Sequence, residues 1–210
     1  MIRIYKLDVN KSEIAWVGYQ PSNNQSGILS FKEGKFYTKD RHLMEGNVLI
    51  DMRSIEVTSE SLNEEDQLKL GDHLISKDFF DVEKYPTSEF MFLDIKLLDT
   101  NEEISSPGDP AIKVHTHEVE GELTIKGITQ RVKFPVYFEI DGHQLKAESK
   151  FLLYRTKWGM DFMIESSYGD KKILPEVQVS FDIIAWSTHQ KGVNKEEGKY
   201  YEEEIMESID

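Results

Sequence analysis

The sequence predicts an all-β protein, a closed antiparallel β-barrel of about eight strands with one inserted helix. Three observations point there. Apolar residues alternate with polar ones at period two in segment after segment. Turn signals, the strongest of them Asp141-Gly142, separate these segments at hairpin spacing. Only residues 61 to 75 carry helical spacing, so strands do not alternate with long helices and a parallel βαβ architecture is disfavoured. That leaves a sandwich or a barrel. Paired apolar stripes, a glycine inside a strand and the lack of proline-studded edges favour closure, which removes exposed edges.

Taken in order, residues 12 to 19 (SEIAWVGY) are β-branched and aromatic, and the polar PSNNQSG after them is a turn. GILSFKEGKFYTKD then gives two short runs around Lys32-Glu33-Gly34, a spacing that suits a hairpin with Gly34 at positive φ. GNVLIDMR puts Val48, Ile50 and Met52 on one face. Next comes the helix: Ser61 and Glu64 have capping-box spacing, and Leu70 and Leu74 lie one turn apart. Pro86 forces Tyr85 towards extended geometry and starts the strand EFMFLDIKLL. Phe90 and Phe92 occupy one side of it and Met91, Leu93, Ile95 and Leu97 the other, which predicts cover on both faces.

DTNEEISSPGDP reads as a surface loop. Beyond it His115, His117, Val119, Gly121, Leu123 and Ile125 share a face, Lys126-Gly127 turns the chain, and Val132, Phe134, Val136, Phe138 and Ile140 share the next. Gly121 within a strand predicts a bend or a close backbone approach. After Asp141-Gly142, Leu145, Ala147, Phe151 and Leu153 are in step, and a final strand turns Val177, Val179, Phe181, Ile183 and Ala185 inward. Residues 1–187 read as one domain. Residues 188–210, with seven acidic residues and three lysines from His189 on and no alternation, read as a solvated acidic extension.

With 39 acidic against 25 basic residues, a formal charge of -14, nucleic acid is excluded as a natural partner, and so is an anionic membrane surface. There is no cysteine, hence no disulfide, thiolate nucleophile or Cys-ligated zinc. The N-terminus goes straight into strand-like alternation and no segment reaches the ~20 apolar residues needed to span a bilayer. As written the chain is expected to be cytoplasmic, or periplasmic if a leader has been removed, with no membrane insertion. His115 and His117 have a spacing that serves a metal only if a third ligand arrives, and no carboxylate cluster or HExxH supplies one. A hydrolase would need a nucleophile, a base and an oxyanion hole together; there is no GxSxG, and His73 and Asp72 are adjacent on a helix and do not face each other. Neither a metal site nor an enzyme is expected.

The combination of YKLDVNKSEIAWVG, GNVLIDMRSIEV, DHLISKDFFDVEKYPTSEF and VEGELTIKGITQRVKFPV resembles the YceI-like family of bacterial lipid-binding proteins, over roughly residues 4 to 186. The resemblance implies a lipocalin-like barrel whose interior holds a polyisoprenoid, an isoprenoid quinone or a similar lipid, with no catalytic residue set and no cofactor. The loop QPSNNQSG and the acidic tail depart from the family pattern. Trp16, Phe31, Phe36, Phe79, Phe80, Phe90, Phe92, Phe134 and Phe138 are expected to supply most of the lining, with some of them turned outward, and Phe79 and Phe80 to plug or rim one end. The alternative is an interaction module whose filled barrel serves as scaffold. A homodimer stays open.

Overall fold

The structure, a computed structural model, describes residues 2–98, 115–165, 169 and 172–190. The DTNEEISSPGDP loop beyond Leu98 and the tail beyond Gln190 lie outside them. Nine strands are described: β1 (Ile2–Leu7), β2 (Glu13–Gly18), β3 (Gln25–Lys39), β4 (His42–Val57), β5 (Thr87–Leu97), β6 (His117–Ile125), β7 (Ile128–Asp141), β8 (Gln144–Tyr154) and β9 (Glu176–Gln190). One helix, α1 (Glu64–Ile75), sits between β4 and β5. All ladders are antiparallel, and the order β3-β4-β5-β6-β7-β8-β9-β2 returns to β3, which closes the barrel.

The barrel has eight staves because β1 and β2 share one. Both lie between β3 and β9: β2 pairs with Gln25–Leu29 and β1 with Lys35–Lys39 further along. The chain interrupts this stave at residues 8–12. Across the break Asp8 N donates to Ile184 O (2.8 Å), and Ser12 Oγ also donates to Ile184 O (3.3 Å) and accepts from Ile184 N (3.0 Å), supplying the acceptor that an unbroken strand's carbonyl would have given. β9 runs to Gln190, three residues past the boundary read from composition at 187.

Three local expectations are corrected. The chain does not turn at Gly34: β3 runs through it, and the hairpin to β4 is made by Asp40 and Arg41, both at positive φ (50° and 70°). Gly34 is instead a close approach, since a Cβ there would lie 2.8 Å from Val48 Cγ1 and 3.2 Å from Leu7 Cβ. The helix cap is Asn63, not Ser61: Asn63 Oδ1 accepts from Asp66 N at 2.9 Å, while Ser61 Oγ accepts from Asn23 Nδ2. Asn63→Ala is therefore expected to lower the unfolding free energy by about 1 kcal/mol, read as a shift in the urea midpoint. Finally, β5 is not covered on both sides. A bulge between Phe92 and Asp94 carries Ile95 round to the inner face; Met91 (47%) and Leu93 (41%) are left exposed on the outer one, and Leu97 (78%), in step with Ile95, is exposed at the strand end.

The turns at Lys126-Gly127 (φ 52° and 71°) and at Gly142 (φ 56°) form where the sequence places them. So does the close approach at Gly121, where a Cβ would meet Phe90 Cζ at 2.2 Å.

Two seams are only half zipped. β7 and β8 pair from Asp141 back to Tyr137 and then part, because Pro135 has no N–H to donate; Ser149 Oγ takes up the Pro135 carbonyl at 2.5 Å. Into the gap goes the 3-10 turn Arg155–Trp158, tied to β7 by Gln130 Nε2 to Lys157 O (3.0 Å). At the opposite end β4 and β5 pair only over Asn47–Asp51 and Thr87–Met91.

Candidate functional site

Inward-facing residues of the staves form two apolar clusters. One, around Tyr5, Leu7, Val136, Ile140, Leu145 and Ala185, fills the hairpin end of the barrel. It is tied across by Arg3 Nη1 (2.7 Å) and Tyr5 Oη (3.2 Å), both donating to Gly142 O, and by Arg41 Nη2 donating to Ile140 O (2.5 Å). The other closes the helix end. There Val57, Leu74, Phe79, Leu123, Trp158 and Met160 pack together, and Trp158 Nε1 donates to Leu123 O (3.1 Å).

Between the clusters the interior is hollow. A cavity of about 270 Å³ runs along the barrel, near the lower limit of the ~300–1,000 Å³ usual for ligand pockets and far above the water-sized voids of a packed core. Its wall shows in the exposures: Phe36, Phe90, Phe92, Phe138, Phe151 and Phe181 lie on inward faces yet are only partly buried. All nine residues named from the sequence, Trp16, Phe31, Phe36, Phe79, Phe80, Phe90, Phe92, Phe134 and Phe138, lie on this wall, and none faces outward. Phe79 both packs in the helix-end cluster and faces the cavity, so the plug and the rim are the same residue.

Sequence reasoning left out Phe151 and Phe181, which complete the aromatic belt. Phe134 stacks on Phe151 (centroids 4.3 Å, planes 13° apart) and meets Phe181 and Phe90 at 5.8 and 5.5 Å. The signal was available, since both share parity with residues assigned inward.

Polar groups on the wall are few: Gln20, Gln25, Asn47, Ser88 and Arg155. Arg155 is 4% exposed, and no carboxylate among the described residues is bonded to it. Its guanidinium donates instead to the carbonyls of Leu174 (3.1 Å), Ile173 (3.0 Å), Phe162 (2.8 Å) and Met160, and lies 5.6 Å from the Phe79 ring centroid. Burial lowers its pKa from the ordinary guanidinium value and the field of Asp161 opposes that, so it stays charged. No periodic pattern flags a residue whose partners are all main-chain.

The histidines do not assemble a site. His115 precedes β6, and His117 opens it, with Nδ1 2.7 Å from Thr116 Oγ1 and its ring edge-on to Phe138; burial lowers its pKa. Among the described residues no group of three or more His, Asp or Glu could hold a metal ion. His73 turns to Asp78 (Nε2 to Oδ2 3.5 Å), not Asp72, and lies edge-on to Phe79 and Phe162.

A closed antiparallel barrel of eight staves with an apolar interior cavity and a single capping helix is a lipocalin-like barrel protein. Comparison with known families then makes the assignment specific: the YceI-like domain matches residues 5–185, and the chain belongs to that family. Among solved structures it is similar to BcnA of Burkholderia cenocepacia, with 20% identity, TM-score 0.62, and 85% of this chain and 98% of that one covered. It is also similar to a polyisoprenoid binding domain from Saccharophagus degradans implicated in plant cell wall breakdown, with 14% identity, TM-score 0.59 and 87% and 98% covered. A third is the YceI protein of Campylobacter jejuni, at 12% identity, TM-score 0.51 and 82% and 85% covered. At these identities the likeness is one of fold. No curated protein matches the chain in sequence.

Proposed function

We propose that the protein is a non-catalytic carrier that holds a polyisoprenoid, an isoprenoid quinone or a similar long-chain lipid inside the barrel. The observation that carries this reading is the cavity, about 270 Å³ walled almost entirely by aliphatic and aromatic side chains. Such a wall offers no chemistry and little orientation; it offers burial, up to ~0.8 kcal/mol for each methylene-sized group withdrawn from water. A few isoprene units bind on that basis without any charged contact. The Saccharophagus degradans relative is described as a polyisoprenoid binding domain, which fits the same reading. The scaffold alternative calls for a filled interior, and the hollow favours the carrier.

Native mass spectrometry and organic extraction of gently purified protein test the proposal. A co-purified apolar molecule near one per chain is expected; recovery of no lipid together with no uptake of an added one would overturn the proposal. Val179 lies mid-wall, between Trp16 on β2 and Phe151 on β8. Val179→Trp is expected to fill the hollow and cut lipid uptake at least about tenfold, while the unfolding free energy, read from urea titration, stays within about 1 kcal/mol of the parent because the ring enters empty space.

A further inference from the structure

The apolar wall carries polar atoms that have nothing to bond. Trp16 Nε1, Gln25 Oε1 and Ser88 Oγ are buried without a hydrogen-bond partner, and all three residues line the cavity. Native structures rarely leave such atoms unsatisfied, so each needs an explanation. Ser88 stands apart on β5, opposite Ile50. The other two are neighbours. Trp16 pairs with Gly27 and Gly18 with Gln25 in the β2–β3 ladder, which makes Trp16 and Gln25 diagonal partners on the inner face at the helix end, ~7–8 Å apart between Cα atoms and within reach of long side chains. The Trp16 ring is laid down over Gly27, where a Cβ would come within 2.6 Å of Cε2, the atom bonded to Nε1. Gly27 thus fixes where the indole N–H sits.

One of these atoms is a donor without an acceptor, the other an acceptor without a donor. A hydroxyl is the simplest group that answers both, since it accepts from an N–H while donating to a carbonyl. A quinone carbonyl would answer only the indole. A phosphate or diphosphate would need cations, and among the described residues Arg155 is the only one on the wall; four of the five N–H donors of a guanidinium are already given to the carbonyls of Met160, Phe162, Ile173 and Leu174.

We infer that the cavity selects a lipid with an uncharged hydroxyl head, a long-chain alcohol whose oxygen lies between Trp16 Nε1 and Gln25 Oε1 while its chain runs down the aromatic belt. The inference rests on the carrier reading and adds the head group to it.

Three probes with one C15 isoprenoid chain separate the two ideas: farnesol, farnesyl diphosphate and the hydrocarbon farnesene. In equilibrium binding to the intact protein farnesol is expected to bind about tenfold more tightly than farnesene, the size of one to two net hydrogen bonds, and the diphosphate more weakly than either. Trp16→Phe and, separately, Gln25→Leu are each expected to bring the ratio of farnesol to farnesene affinity from about ten towards one. The Trp16 indole N–H resonance is expected to shift with farnesol and not with farnesene. Equal binding of farnesol and farnesene, or preference for the diphosphate, overturns the head-group assignment and leaves the carrier standing. Failure of all three to bind removes both.

Discussion

Replacing Arg155 with methionine is expected to destabilise the protein by at least about 3 kcal/mol, because four main-chain carbonyls lose a charged donor at once. The methionine would preserve much of the stem's apolar packing and remove only the donors. Four carbonyls, those of Met160, Phe162, Ile173 and Leu174, would then be left in a region where Trp158 is 1% and Met160 3% exposed, each at a cost of about 1–3 kcal/mol unless water enters. The guanidinium gathers strands of chain that have no ladder of their own: the 3-10 turn after β8, the 160–162 segment and the 173–174 approach to β9. Arg155→Lys is expected to recover less than half of the loss, because a compact ammonium with three donors cannot reach four carbonyls spread around a planar fork. Urea unfolding of the two variants measures both effects. A loss under about 1 kcal/mol for methionine would mean that the carbonyls find other donors.

The same residue marks the limit of what the chain discloses by pattern. Where a stave faces the hollow with one side, period two holds, and β7, β8 and β9 were legible down to the individual inward residue, while in β4 only Val48, Ile50 and Met52 were, since Ile55 enters the cavity out of step with them. Phe90, Phe92, Phe134 and Phe138 on the cavity wall follow from that parity, whereas Phe79 and Phe80 lie in the turn after α1, where no strand period applies. Legibility fails where a local rule has two solutions. Gly34 suits a turn, but it equally suits the crossing of Leu7 over Val48, and the turn went to Asp40, which tolerates positive φ, and Arg41, which rarely adopts it. Ser61 and Asn63 are both good caps, and the register of Leu70 and Leu74 on the barrel end selects the second. The β5 bulge inverts parity after Phe92, so a strand that looks apolar on both faces leaves Met91 and Leu93 in water on the outer one. Arg155 lies outside period two altogether, since tertiary carbonyls hold it and no spacing encodes them.

Gly27→Val is the second large effect, and it tests the wall of the cavity directly. Gly27 faces inward from β3, pairs with Trp16 on one side and Val57 on the other, and sits under the Trp16 ring. A Cβ at this position would lie 2.0 Å from the main-chain oxygen of Glu56 and 2.5 Å from Trp16 Cζ2. The second clash is relieved by swinging the indole away. The first is not, because the Glu56 oxygen belongs to the β4 backbone and moves only if the β3–β4 seam opens. Overpacking against backbone in a closed barrel falls at the upper end of its usual range, and Gly27→Val is expected to cost at least about 3 kcal/mol or to yield no folded protein. Gly27→Ala meets the same oxygen with a single methyl, so the loss should persist with the smaller side chain; urea midpoints of the two variants provide the comparison. Near-parental stability for alanine would mean that the seam is looser than drawn and that the indole is not held by its glycine. Where the alanine variant does fold, Trp16 must have left its place, and its fluorescence should move to longer wavelength as the ring loses its apolar seat. A glycine required by the β4 backbone and the Trp16 ring packed against it, and not by its own φ, then sets the shape of the cavity at its helix end.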